Sequence, residues 1–435
     1  MLRKEDNEKL TRIGPGTPGG EFMRRYWQPA AMSSELPEKD GAPLRVRLLG
    51  EDLIAFRDSN GDVGLVDAYC PHRRAPMFFG RNEECGLRCV YHGWKFDRNG
   101  DCVDMPSEPA GTTLQAKVKI KAYPVHEAGG LVWAYMGPKE TMPEPPDYEW
   151  MRAPETHRYV SKTFENANYL QCLEGGLDTA HSSFAHNNKL GDNTLLRARD
   201  KAPRIDVERT DYGYYYVSQR DMGEDGSYVR VYHYIMPAQQ MRANTMGWFG
   251  GRNEVPRLDG HIWMPIDDHT THVYNWNCAY DSTIEMSDAW KAKREADMGR
   301  GIDDVIPGTF RLKKNQSNDY LIDRDVQRSE SYSGIYGITA QDHCVTESMG
   351  PIADRTFEHL APADIMITRV RRLLLKSATD LATDGAAPKS ATDPSVYAGM
   401  RGGQFLAPEG ADWLEAWRKS MAETPLESVL AQAAE

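Results

Sequence analysis

Apolar and polar positions alternate through RVRLLGEDLIAFRD and again, past Ser59-Asn60-Gly61-Asp62, through VGLVDAYC. A period of two predicts half-buried strands, and Asn60-Gly61 between the two runs predicts a hairpin closed by a two-residue turn. Asn99-Gly100 in WKFDRNGDCVDM repeats the signal. From about Leu44 to Met136 nearly everything reads as short strands and turns, a small all-β unit. A short helical lead-in around Glu21 to Trp27 precedes it, and the proline-rich GPKETMPEPPDYEW, residues 137–150, closes it.

The pattern then changes. Residues 165–186 carry a helical period, 203–279 return to strands with turns such as Asp211-Tyr212-Gly213, and the text after Ile284 is helical again. The clearest helix is DIMITRVRRLLLK, Asp364 to Lys376, where Ile365, Thr368, Arg369 and Arg372 face away from Met366, Val370, Leu373 and Leu374. Residues 379–395, rich in Ala, Asp, Ser, Thr and Pro, read as a mobile surface loop. A long helix on an antiparallel sheet implies an α+β fold. The divisions that follow are a lead-in over 1–40, a small β domain over 41–140 and a larger domain over 141–435.

Charge and cysteine usage narrow the function. With 52 Lys+Arg against 64 Asp+Glu the net charge is −12, which argues against nucleic acid or an anionic membrane as the main partner. No run approaches the ~18 apolar residues of a membrane helix, and the N-terminus MLRKEDNEKLTRIGPG lacks a signal-peptide core. A cytoplasmic protein is expected. Seven irregularly spaced cysteines do not make a disulfide framework, and clustered ones point to metal.

The cluster is Cys70-Pro71-His72 and, 17 positions after His72, Cys89-Val90-Tyr91-His92. A structural zinc site pairs cysteine with cysteine and histidine with histidine; here each loop offers one thiolate and one imidazole. That set suits two metals, each loop giving its cysteine to one iron and its histidine to the other, as in a Rieske two-iron cluster. Cys85 and Cys102 fall outside the pattern and read as small buried hydrophobes. Tyr91 and Trp94 are expected to pack over the loops.

The string CPHRRAPMFFGRNEECGLRCVYHGWKFDRNG resembles the Rieske domain of ring-hydroxylating oxygenases of the phthalate-dioxygenase type, and the resemblance runs from LTRIGPGTPGGEFMRRYWQPA to ESMGPIADRT. It implies a second domain of helix-grip fold holding a mononuclear non-haem iron. Within 166–186, Asp178, His181 and His186 form D-x2-H-x4-H. Asp178 and His181 would share a helix face, but His186 lies about 140° round from His181, so both bind one ion only if the helix ends or distorts between them. Gly175-Gly176 suggests a backbone that is already irregular. Two histidines and a distant carboxylate would make the 2-His-1-carboxylate face of Fe(II) oxygenases, with open positions for dioxygen.

Spacing alone does not choose the carboxylate among Asp303, Asp304, Asp319, Asp323, Asp325, Asp342 and Asp354. The resemblance maps it to Asp342, at the start of a helix in QDHCVTESMG. There Asp342, Val345 and Met349 would share one face lining an apolar pocket. The resemblance gives Asp178 another role, bridging a cluster histidine of one subunit to an iron histidine of the next, by correspondence His92 and His181. It thereby implies a homotrimer or stacked hexamer.

For the substrate pocket, Met236, Met241, Met246, Trp248 and Phe249 are candidate walls, though for any single one ordinary sheet core is the stronger reading. Arg209, Arg230 and Arg242 are candidate partners for a carboxylate. The reading is a terminal oxygenase that takes electrons from a separate NAD(P)H reductase, since no dinucleotide fingerprint is present, and cis-dihydroxylates a phthalate-like acid or substituted benzoate with O2. Arg73-Arg74, beside the first loop, would serve reductase docking or the cluster loops. The alternatives are a Rieske monooxygenase or O-demethylase of aromatic acids or aryl ethers, and a plain Rieske electron-transfer protein.

Overall fold

A computed structural model describes residues 1–192, 194–247, 249–422 and 429–431. Its N-terminal half is built from three small antiparallel sheets. The strand Trp27–Met32 lies at the edge of one, against Leu131–Tyr135, which also pairs Val125–Ala128. Trp27 is thus the first residue of a strand, and the lead-in helix is shorter and earlier, Pro18–Met23, capped by the Thr17 hydroxyl. Pro29 explains the change, because it has no N–H for a helix and is tolerated on a sheet edge. A further helix precedes it at Lys4–Thr11.

The second sheet runs Leu44–Leu48, Glu51–Arg57, Val63–Asp67 and Ala122–Tyr123; the third, Arg81–Glu83, Gly86–Arg88, Lys95–Phe96 and Cys102–Asp104. Both Asn-Gly turns are one residue longer than the two-residue type. The Asp58 N–H bonds the Asp62 carbonyl, and the Asp58 carboxylate accepts from the N–H groups of Asn60, Gly61 and Asp62. Asp97 treats Asn99 and Asp101 the same way. An aspartate placed before the Asn-Gly pair widens the loop, while Gly61 and Gly100 still supply the positive φ.

The C-terminal part is an eight-stranded antiparallel sheet ordered Arg158–Glu165, Thr271–Ala279, Arg252–Pro265, Gln239–Met246, Ser227–Ile235, Gly213–Asp221 and Arg204–Arg209, with Gly403–Ala407 also paired to Ser227–Ile235. The fold is α+β. The long helix spans Ile365–Asp384 and buries Met366, Val370, Leu373 and Leu374, with Arg369 and Arg372 outward. It continues two turns beyond Lys376 because Ser377, Ala378 and Leu381 extend the buried stripe, and it stops at Gly385 in the left-handed conformation. Residues 379–395 are therefore not a free loop: Ser390 and Tyr397 beyond the helix are buried, and the Ser390 hydroxyl meets that of Tyr26 at 2.9 Å.

A continuous apolar core joins the two parts. Trp133, Trp150 and Trp276 are fully buried in it, the last two stacked with ring centroids 4.7 Å apart. Residues 165–186 do not form one helix. Tyr169–Leu177 is helical, Asp178 leaves the helix with extended backbone, and His181–Ser183 makes a separate 3-10 turn. Gly175-Gly176 lie inside the regular helix. A Cβ on Gly176 would stand 2.3 Å from the Trp263 ring, so glycine there permits a close helix-to-sheet approach. Glu174 on this helix binds Arg355 at 2.9 Å and Arg371 of the long helix at 2.6 Å. Burial would raise its carboxyl, yet the two guanidiniums hold it below the ordinary carboxylate range.

Candidate metal centres

The loop carrying Cys70 and His72 follows the strand Val63–Asp67, and the loop carrying Cys89 and His92 links Gly86–Arg88 to Lys95–Phe96. Each is a tight turn: Arg74 N–H bonds Cys70 O, and Gly93 N–H bonds Cys89 O, with Gly93 at φ +80°. Both thiols are buried. Burial pushes the Cys70 thiol up to about 11, and the adjacent Cys89 adds to the effect. The His72 and His92 rings lie 4.6 Å apart between centroids. Trp94 stacks flat on His72 at 4.2 Å, Tyr91 covers His92 at 3.9 Å, and the buried His92 Nδ1 has no hydrogen-bond partner. Two adjoining buried thiols opposite two imidazoles, one of which has an orphaned nitrogen, fit a two-iron cluster. Cys102 is buried near by, and Cys85 sits at a hairpin tip. Arg73 and Arg74 are exposed, over the rings of Tyr91 and Tyr69.

The second centre assembles where the helix breaks. His181 Nε2 and His186 Nε2 converge to 3.1 Å, and Asp342 Oδ1 lies 3.2 Å from His186 Nε2 and 3.7 Å from His181 Nε2. This group of three ligand atoms is compact enough for one ion and has the composition of a facial triad. Asp342 is in the second turn of the helix Ile338–Ser348 rather than at its start. Val345 and Met349, expected to wall an apolar pocket with it, are exposed. Burial would raise the Asp342 carboxyl, but the two histidines hold it at about 2. Burial and His186 lower His181, while Asp342 overcomes burial to raise His186.

Neighbouring side chains fix the imidazoles. His186 Nδ1 bonds Gln341 Oε1 at 2.8 Å, and the Gln341 amide donates to Asn188 Oδ1 and Ile335 O. The amide direction makes His186 Nδ1 the protonated nitrogen and frees Nε2 for metal. Asp178 Oδ1 accepts from the N–H groups of Ala180 and His181, and its other oxygen lies 3.7 Å from His181 Nδ1, a buried nitrogen without a hydrogen-bond partner. Gln341 was not singled out in the sequence, although it directly precedes Asp342.

Residues 26–124 match the Rieske [2Fe-2S] domain family and residues 134–432 the family described as LigXa C-terminal domain like. The chain belongs to the Rieske non-haem iron oxygenases. It is 38% identical to the 3-chlorobenzoate-3,4-dioxygenase oxygenase subunit of Comamonas testosteroni, over 96% of this chain and 98% of that one. It is 38% identical to the phthalate 4,5-dioxygenase oxygenase subunit of Pseudomonas putida, over 86% of each. It is 34% identical to the 5,5'-dehydrodivanillate O-demethylase oxygenase subunit of Sphingobium sp. (strain NBRC 103272 / SYK-6), over 91% of this chain and 85% of that one. The fold is shared with dicamba monooxygenase bound to dicamba, at TM-score 0.61 and 19% identity, covering 83% of this chain and 99% of that one. This Rieske oxygenase subunit is therefore an oxidoreductase whose cofactors are a [2Fe-2S] cluster and a mononuclear non-haem iron, with O2 as co-substrate.

The inner face of its large sheet is polar. Tyr216, Tyr232, Arg242 and Asp259 pair in register as one row from strand to strand, and Ser218 pairs with Arg230 in the next row of the same face. Arg220 and Arg230 are buried there, and Arg220 Nη2 donates to Thr179 O at 2.7 Å, two residues before His181. Of the expected wall residues, Met236 and Met241 are buried sheet core, Met246 packs near Leu196 and Tyr228, and Phe249 is exposed; Trp248 lies outside the described residues. Arg209 donates to Gly213 O and so belongs to a turn, whereas Arg230 and Arg242 do reach the inner face. No helix among the described residues is long and apolar enough to cross a membrane.

Proposed function

We propose that this chain is the terminal oxygenase of a two-component system acting on an aromatic carboxylate, phthalate-like or a substituted benzoate. One observation carries the reading: Arg220 is buried against the loop of His181, Arg230 is buried on the same face of the sheet, and among the described residues neither is ion-paired to a carboxylate of the chain. Arg230 keeps a buried Nε without a partner. Arg197 approaches the same place, and although burial opposes it, Arg230, Arg197, Arg220 and Arg242 together pull the Tyr232 phenol below its ordinary range. A planar guanidinium in a desolvated site selects a carboxylate, which holds the ring next to the metal face.

The assignments behind this reading are as follows. Cys70, His72, Cys89 and His92 hold the cluster; His181, His186 and Asp342 hold iron, the dioxygen-activating centre. The lead-in covers 1–40, the Rieske domain 41–140 and the catalytic domain 141–435. Asp178 links the His92 of one subunit to the His181 of another in a homotrimer or stacked hexamer. Exposed Phe79, Val90 and Tyr91 on the cluster side, and Phe184, Tyr332, Val345 and Met349 on the iron side, support such an assembly. Electrons come from a separate NAD(P)H reductase. Seven unpaired cysteines support a reducing, cytoplasmic setting.

The test is oxygen uptake with phthalate, halobenzoates and methoxybenzoates plus a phthalate-type reductase, followed by mass spectrometry of product formed under labelled dioxygen. Two label atoms in a cis-diol are expected; an unlabelled phenol, with the single label atom leaving in formaldehyde, makes the enzyme a demethylase. Uptake unaffected in Arg230→Gln would sink the carboxylate reading.

A further inference from the structure

Beside the iron centre lies a cavity of about 810 Å3, one wall of which is formed by residues of the segment 314–338. Within that segment the turn Gln316–Leu321 has an uncommon backbone. Asp319 and Tyr320 stand at φ/ψ of 49/35° and 54/22°, and Leu321 at φ 51°. Three consecutive residues other than glycine are thus left-handed, a conformation that L side chains adopt at a cost and as a rule singly. Leu321 lines the cavity and is 59% exposed, so burial of its side chain does not hold the turn in this form.

What holds it lies on its buried side. The Tyr320 N–H bonds Asn315 O at 3.0 Å, the Ile322 N–H bonds Asp319 O at 3.1 Å, and the buried Tyr320 hydroxyl donates to Glu347 Oε2 at 2.6 Å. Burial, and then the carboxylate, raises the phenol, so Tyr320 remains the donor. Glu347 is itself buried, near the end of Ile338–Ser348, the helix of Gln341 and Asp342. Its other oxygen accepts from the Asn166 N–H at 2.8 Å, just before the helix Tyr169–Leu177 that leads to His181. Two further contacts fasten the same pair of segments. The Thr346 hydroxyl lies between Glu165 Oε1 and Asp342 O, and Gln171 Nε2 donates to Thr346 O at 2.9 Å and Gly350 O at 2.7 Å. Glu347 therefore ties together the two stretches that supply the triad and gives its remaining oxygen to the left-handed turn.

We propose that Tyr320 and Glu347 are positioning residues, whose hydrogen bond keeps a sprung turn closed on the cavity and couples that turn to the two segments that hold the iron. When the bond breaks, the turn relaxes towards right-handed or extended backbone, Leu321 leaves the cavity wall, and the fastening between the iron-bearing segments loses a partner. The inference rests on the assignment of iron to His181, His186 and Asp342 and is independent of the substrate.

The experiment is hydrogen–deuterium exchange of the cluster- and iron-loaded protein, followed in 315–323, in 338–348 and, as a distant reference, in 44–57, together with the rate at which a ferrous chelator removes the mononuclear iron. Tyr320→Phe keeps the ring and removes the bond. Exchange in both 315–323 and 338–348 is expected to rise at least about tenfold, with faster iron loss, while 44–57 is unchanged. Leu321→Gly puts glycine where the backbone is already left-handed, and is expected to slow exchange in 315–323 about threefold and to slow iron loss with it. Faster exchange of the turn in Leu321→Gly overturns the strain. A Tyr320→Phe effect confined to 315–323 overturns the coupling, and a rise that includes 44–57 makes Tyr320 a merely structural residue. Should Tyr320→Phe fail to fold, Leu321→Gly decides alone, since unchanged iron loss in it overturns the coupling. A wild-type protein that takes up no mononuclear iron removes the triad assignment, and the exchange of 315–323 and 338–348 still decides the coupled turn.

Discussion

Gln341 shows how much one hydrogen bond decides at the residue scale. Its carbonyl oxygen fixes which nitrogen of His186 is free, because its amide is already committed to Asn188 and Ile335. Gln341→Leu should therefore weaken iron binding about 10- to 100-fold while the cluster absorption stays unchanged, checked by iron titration of the metal-stripped protein. Asp178 is a different case, since it touches His181 through both backbone and side chain without belonging to the triad. Asp178→Asn is expected to keep both metals and lose most turnover. Rapid-mixing measurement of cluster reoxidation would show the loss in electron transfer; wild-type reoxidation would remove the bridge. Gln341 and Arg220 did not announce themselves in the sequence, whereas Arg230 and Arg242 of the inner face stood among its carboxylate candidates. A glutamine or arginine is ordinary anywhere on a surface, and only burial without a partner singles it out.

Elements position these residues by packing. The helix Tyr169–Leu177 approaches the sheet so closely that Gly176 carries the Trp263 ring where a side chain would be, and Gln240 Nε2 donates to the Gly176 carbonyl at 2.6 Å. Gly176→Val should cost about 1–3 kcal/mol by overpacking and displace the turn that holds His181, seen as a lower Tm and reduced iron content together. The break after Leu177 matters as much. A continuous helix would keep His181 and His186 on different faces, and the extended Asp178 followed by the 3-10 turn brings their Nε2 atoms together. The need for a break followed from the spacing; its place did not, because it depends on Asp178 capping the next turn.

Over the whole molecule, the core that spans both parts contains ionisable groups that tie its stability to pH. His233 is fully enclosed, bonded to the Tyr212 hydroxyl and Arg401 O, and burial lowers it to about 4. Burial lowers His261 further, to about 3. A histidine depressed in the fold is neutral there while the unfolded chain takes up a proton. Its contribution is therefore intact above pH ~6.5 and is lost as pH falls towards about 4, up to about 3 kcal/mol for His233. Urea midpoints should drop over that window, and His233→Gln should flatten the slope; equal slopes would exclude His233 as the cause.

The sequence by itself determined the local and periodic features. It contained the strand alternation, the outward and inward faces of the long helix, the Cys-x-His and Cys-x2-His loops and the histidine pair, because each is encoded within a few residues and by side-chain chemistry that tolerates few substitutes. Tertiary structure decided the rest. It carried the helix Ile365–Asp384 past an apparently loop-like stretch by burying Leu381, and it brought Asp342 to two histidines more than 150 positions earlier. It also gathered Arg220, Arg230 and Arg257 onto one face of the sheet. The physical reason is that desolvation and long-range pairing are properties of where the chain folds back, and no local pattern records them.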